Sequence, residues 1–209
     1  MLDGTCRPIC RPTRAQHVYY SGMTSSHCIK FLCITLPNGI LCYANGPHAG
    51  IRHDARIFRE HLKPLLEQDS HYLLNGQPLV LLADSGFPKN PHLLKRTTLP
   101  LSHAEQQFNI LHSWARIPVE WNFANIVTTW GYIDFSQNLN VLKQPVGIYY
   151  IFACLLAICH CCLYGNEISF FRLWTPFVMW LFTYSLAILI YLYTLWFFIN
   201  SLVSSFLCC

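Results

Sequence analysis

After Lys143 the chain carries only two charged residues, Glu167 and Arg172. Nearly all of its polarity therefore lies in the first two thirds. Residues 177–199 form a stretch of 23 uncharged, mostly apolar residues. A helix of that length spans a hydrocarbon core of about 30 Å. Three readings of this tail stay open: a membrane anchor, translated non-coding or frameshifted sequence, and a buried helix. An earlier uncharged run, residues 146–163, also reaches the lower limit for a span and reads as a core helix. Charged residues make up 11% of the chain and hydrophobic ones 53%. A typical soluble domain has about 25% charged residues, so disorder is excluded and a uniformly polar surface is not expected.

The formal net charge of +4 permits a phosphate-bearing partner without arguing for one. No apolar leader follows Met1, which runs into Asp3, Arg7 and Arg11, so no secretory signal is expected. The 11 cysteines show no pair of C-x-x-C motifs. They read as reduced, buried thiols in the cytosol or nucleus, not as a zinc site.

Organisation follows from pattern. The β-rich run His27–Leu36 and the run Ile40–Tyr43 flank Pro37-Asn38-Gly39, a strong hairpin signal. Gly46, Pro47 and Gly50 read as breakers after about Ala44. Asp54 to Gln68 reads as a helix with Asp54 at its N-cap and Ile57, Phe58, Leu62, Leu65 and Leu66 as its apolar stripe. Leu79–Ala83 reads as a buried central strand ending at Asp84. Ala104 to Val127 reads as helical, with Pro118 expected to kink or divide it. Hairpin, helix, buried strand and helix in that order make an α/β domain with a mixed sheet.

Three acids stand out by context: Asp3 near the start, Asp84 at the end of the buried strand, and Glu120 on the following helix. Acids from a strand end and an adjacent helix can converge on hard divalent cations, which take oxygen ligands. Two such ions about 3.5–4 Å apart would activate a nucleophilic oxygen and stabilise the leaving oxygen of a phosphodiester. The plain alternative is that Asp54 caps a helix, Asp84 sits in a turn and Glu120 is a solvated charge.

A series of phrases in order carries a resemblance. They include Asp3-Gly4-Thr5, Arg7-Pro8-Ile9-Cys10-Arg11-Pro12, Tyr20-Ser21-Gly22, Leu36-Pro37-Asn38-Gly39, Arg52-His53-Asp54, Ala83-Asp84-Ser85-Gly86-Phe87-Pro88, Arg116-x-x-Val119-Glu120-Trp121-x-Phe123 and Gln144-Pro145-Val146-Gly147. The chain resembles the Harbinger/PIF-type DDE transposases, the DDE superfamily endonuclease group, over roughly residues 1–168. The resemblance implies a ribonuclease-H-like α/β fold, a mixed sheet with flanking helices. Residues 169–209 follow as a hydrophobic tail with the candidate transmembrane helix 177–199. The resemblance also implies Asp3, Asp84 and Glu120 as catalytic and metal-binding acids, and two Mg²⁺ or Mn²⁺ ions. Asp54 either supports that site or caps its helix. The implied chemistry is cleavage and transfer of DNA strands in the nucleus; a genuine tail anchor would place the chain at a membrane instead.

Arg7, Arg11, Lys30, Arg52, Arg56, Lys95 and Arg96 are candidate DNA contacts, because Lys and Arg supply most phosphate affinity. The family's helical DNA-binding region is not seen ahead of Asp3. A separate DNA-binding partner protein and an oligomer therefore enter as expected partners. With only Met1 and Leu2 before Asp3, the first strand is expected to pair incompletely and to hold Asp3 loosely. Two further readings stay open: a non-catalytic relic that binds DNA or protein, and a membrane-anchored protein with a vestigial nuclease domain.

Overall fold

The computed structural model describes residues 1–36, 38–68, 73–74, 77–78, 80–97, 102–134, 139–141 and 143–165. The candidate span 177–199 lies outside them. The strands are β1 (Leu2–Pro8), β2 (Tyr20–Ser21), β3 (Ser26–Thr35), β4 (Leu41–Ala49), β5 (Leu73–Leu74), β6 (Gln77–Pro78), β7 (Leu81–Leu82) and β8 (Leu93–Leu94). The helices are α1 (Gln16–Tyr19), α2 (Asp54–Ile57), α3 (Lys63–Gln68), α4 (His103–Thr129) and α5 (Val146–Tyr164). A π-turn, Phe58–Leu62, joins α2 to α3.

Strand β3 is the spine of the main sheet. It pairs antiparallel with β1 from Leu2↔Ile34 to Pro8↔Cys28, and with β4 from Thr35↔Leu41 to Ile29↔Ala49. The first strand is thus fully paired, against expectation. The Met1 ammonium adds a bond to the Thr35 carbonyl at 2.7 Å. The hairpin forms where Asn38-Gly39 predicts it: Gly39 takes a positive φ of 84° and the Leu36 N–H donates to the Ile40 carbonyl at 2.8 Å. Strand β4 runs past the expected break through Gly46 and Pro47. The register slips there, between Lys30↔His48 and Leu32↔Asn45, and the extra residue of a bulge accommodates a proline that cannot donate.

The sheet separates two apolar layers by strand alternation. Met1, Ile29, Phe31 and Cys33 face a cluster with Val119, Phe123 and Ile126 of α4 and Val146, Tyr150, Ala153 and Cys154 of α5. Leu2, Leu32 and Ile34 face the other cluster, with Ile57, Phe58, Leu62, Leu81, Ala83, Phe87 and Leu93. The result is helix, sheet, helix, a mixed α/β architecture.

The expected central strand is shorter than its apolar run. Among the described residues of that run only Leu81–Leu82 is a strand, paired in parallel with Leu93–Leu94 as a sheet of its own. Its side chains still alternate between the two layers: Leu81 and Ala83 join the second cluster, and Leu82 packs against the first. Pro118 does not divide α4, which is helical from His103 to Thr129. One missing donor is outweighed by the inward stripe buried on both sides of it. Ser102 and Glu105 close a capping box at its start, with Ser102 N–H to Glu105 Oε2 at 2.7 Å.

The π-turn has a local cause. Pro64 has no N–H for the Glu60 carbonyl and its ring would crowd it. The helix widens just before, so that the Lys63 N–H reaches the Phe58 carbonyl. Asp54 is the first helical residue and not the cap; His53 holds the N-cap position without a side-chain bond.

Helix α5 is long and apolar enough to cross a membrane by length and composition. Val146, Gly147, Tyr150, Ala153 and Cys154 are buried against the sheet, whereas Phe152, Leu163 and Tyr164 are exposed. Its first half is therefore the expected core helix. Gly147 permits this close docking, because a Cβ there would overlap the Pro47 ring. The expectation of reduced thiols fails at one pair: Cys6 and Cys28 lie diagonally across β1 and β3 and form a disulfide with Cα atoms 6.0 Å apart.

Candidate active site

Asp3 lies on β1 and shares its sheet face with Met1, Thr5 and Arg7, toward α4 and α5. Asp84 lies two residues beyond β7, after Ala83. Its loop is pinned on both sides. Phe87 is buried in the second cluster with its ring edge-on to Phe58, centroids 6.1 Å apart. The Lys95 ammonium donates to the carbonyls of Ser85, at 3.1 Å, and Phe87.

The two acids meet at one side chain, Arg116 of α4. Its Nη2 donates to Asp3 Oδ2 at 3.0 Å and its Nη1 to Asp84 Oδ1 at 2.9 Å. Helix α4 is registered for this by two contacts further up. Asn109 exchanges hydrogen bonds with the Thr97 backbone at 3.0 Å each way, and His112 Nε2 lies 3.2 Å from the Leu94 carbonyl. The Asp3 side chain is 19% exposed and that of Asp84 46%. Burial pushes the Asp3 carboxyl above its usual range, Arg116 pulls it back, and the Asp84 charge pushes it up again. Asp3 is thus a carboxylate that depends on a nearby cation.

Glu120 lies one turn beyond Arg116 on α4, on the same side of the helix. It is exposed, and it makes no ion pair with a described residue. No group of three His, Cys, Asp or Glu side chains converges to hold a metal among the described residues. The Asp3–Asp84 pair nevertheless fits a hard divalent cation. Both oxygens already address one positive group, and such cations need only one or two carboxylates. In this state Arg116 supplies that positive charge.

Asp54 is not with them. It sits against Gly4, whose Cβ position points to the face opposite Asp3, and pairs with Lys30 Nζ at 3.4 Å. Several expected DNA contacts already have partners within the chain. Lys30 is 7% exposed and also donates to the Arg52 carbonyl at 2.8 Å. Arg7 bonds Thr5 and lies 5.2 Å above the Tyr150 ring centroid. Arg52 and Arg56 share Glu60, at 3.1 and 2.7 Å. Arg11 holds Gln16 at the surface and Arg96 holds Ser113.

Near Lys30, His48 packs on His61 with ring centroids 4.8 Å apart and is pushed down to about 4 by burial, then by the charges of His61 and Arg52. The unfolded chain takes up this proton near 6.5 and the folded chain only near 4, so stability is lost as pH falls through that window. His48→Gln is expected to flatten that part of the profile. Urea midpoints between about pH 7 and pH 4.5 measure it, and an unchanged slope would assign the acid sensitivity elsewhere.

Arg116 stands in the Glu120 phrase, but its role between the two aspartates was missed from sequence. The available signal was a lone basic residue four positions before Glu120, on the helix stripe that carries His112, Val119, Phe123 and Ile126. The model of the family described as DDE superfamily endonuclease matches residues 2–163. No curated protein and no solved structure matches the chain.

Proposed function

The chain belongs to the DDE endonuclease superfamily, and we propose that it is a divalent-metal-dependent DNA endonuclease and strand transferase of the Harbinger/PIF type. Asp3, Asp84 and Glu120 are its acids in this reading. One observation carries it: β1 and the end of β7, distant in sequence, deliver two carboxylates to a single cation-binding point beside the helix that bears Glu120. We also propose a ribonuclease-H-like sheet, in which the parallel pair β7–β8 continues the order β4-β3-β1. The alternation of Leu81, Leu82 and Ala83 between the same two apolar layers supports this.

Bound divalent ions would supply the Lewis acidity that activates the attacking oxygen and steadies the leaving one. Asp3 and Asp84 would hold them, with Glu120 closing from the helix. The paired β1 strand and the loop clamped by Lys95 and Phe87 fix the two aspartates, so the protein's part is positioning and charge. DNA is the substrate and the nucleus the proposed place of action.

A second reading has an observation of its own. Glu120 stands apart from the aspartate pair, which favours a non-catalytic module that binds DNA or protein. A supercoiled plasmid separates the two. The nuclease reading expects nicking with Mn²⁺ or Mg²⁺ that stops on chelation; plasmid binding without any metal-dependent nicking would establish the second.

A further inference from the structure

Two neighbouring carboxylates in a partly buried site cannot both stay ionised without positive charge beside them. The proposed reaction requires that charge to be metal; the fold provides it from within. Arg116 enters between β1 and the β7 loop and bonds both aspartates with its two terminal nitrogens. Its side chain is 17% exposed, so its guanidinium lies inside the cleft and not over it. The fit is incomplete for an arginine. Its Nε is buried and finds no acceptor among the described residues. A buried donor without a partner costs free energy, so this seat is less than the best that a guanidinium could occupy.

We propose that Arg116 is an exchangeable internal cation: it holds the Asp3–Asp84 pair together before metal arrives, and the divalent ion must displace it to bind. The inference rests on the metal-dependent reading above and concerns how its site is loaded. Arg116 is a positioning residue here and also a competitor. It prevents the aspartates from repelling one another, and it sets the concentration of metal at which the site fills. Displacement also explains why Glu120 stands outside in the resting geometry. A net charge of −1 for two aspartates and one arginine leaves little to attract a third acid, whereas a divalent ion in the same place would call for one.

The test is Mn²⁺ binding by calorimetry, without DNA, on the full chain and on Arg116→Met and Arg116→Lys. Methionine keeps most of the stem and removes the charge. Competition predicts that Arg116→Met binds Mn²⁺ at least about tenfold more tightly, the equivalent of about 1.4 kcal/mol, with Arg116→Lys close to the wild type. Equal or weaker binding by Arg116→Met would overturn the exchange while leaving the nuclease reading intact. No Mn²⁺ binding by either the wild type or Arg116→Met would remove both. Should Arg116→Met fail to fold, the wild type answers directly through the ¹⁵N-labelled arginine Nε resonance of Arg116. Saturating Mg²⁺ is expected to shift it and speed its exchange with water; a resonance unmoved at saturation overturns the proposal.

Discussion

Asp3→Asn is expected to reduce metal-dependent plasmid nicking by about 100-fold or more, and to leave the fold at least as stable as the wild type at neutral pH. The two halves of this result have one cause. The Asp3 side chain is only 19% exposed, and burial is the largest influence on its carboxyl, stronger than the attraction of Arg116. A carboxyl whose folded pKa is raised keeps its proton to higher pH in the folded chain than in the unfolded one. Stability then falls as pH rises from the ordinary carboxyl range through the raised value, and the cost is in place once the carboxyl is ionised. Asparagine has the same shape, keeps an acceptor for Arg116, and carries no charge to desolvate. It therefore relieves the cost and removes the ligand. Loss of function with unchanged or improved stability is what a strained functional residue gives and a structural one does not.

Asp84 offers the control. At 46% exposed it is better solvated, so Asp84→Asn should lose a comparable share of nicking with little movement in the urea midpoint. Nicking rates and urea melts on the same preparations read both quantities. Asp3→Asn that retains more than about a tenth of the wild-type rate, or that melts well below it, would remove Asp3 from the metal-binding role.

What was legible in the sequence divides along a physical line. The hairpin was legible because Asn38-Gly39 is local chemistry, decided within a few residues by the positive φ of Gly39. The α4 helix was legible over residues 104–127, but not that it runs unbroken through Pro118 from a Ser102 cap. Which face of α4 points inward was not. Its outer side carries Ile110, Trp114, Ile117 and Trp121, exposed by 57%, 70%, 39% and 51%. Its inner side carries His112, Arg116, Val119, Phe123 and Ile126. Apolar periodicity alone would choose the outer stripe, so the inward place of Arg116 goes unassigned until Asp3 and Asp84 are seen beside it.

Asp54 failed in the other direction. Its position at a helix start suggests a cap, yet a buried Lys30 across the sheet claims its charge. Strand β4 and the Cys6–Cys28 bridge were set by register between strands, which no single segment encodes.

Register also locates the packing on which the site depends. Phe31→Ala is expected to lower unfolding free energy by about 3–5 kcal/mol. Against a total of about 5–15 kcal/mol for a domain, that would leave a substantial fraction of the chain unfolded if the total lies at the low end. Phe31 is fully buried in β3, and its ring meets Tyr150 of α5 with centroids 4.4 Å apart. On the β4 side Gly46 leaves room for the ring, since any Cβ there would overlap it. Two elements, α5 and β4, therefore close on this one side chain of β3.

The consequence reaches the aspartates. Phe31 pairs with Thr5, and Asp3 pairs with Cys33, two residues along on the same face. A cavity at Phe31 loosens the ladder that holds Asp3, so nicking should fall even in the folded fraction. Phe31→Leu keeps most of the volume and should cost less than about 1.5 kcal/mol, with nicking near the wild-type level. Urea denaturation followed by tryptophan fluorescence gives the stabilities. A loss below about 1 kcal/mol for Phe31→Ala would mean that α5 does not rest on the sheet as described, and the two-layered core would have to be redrawn.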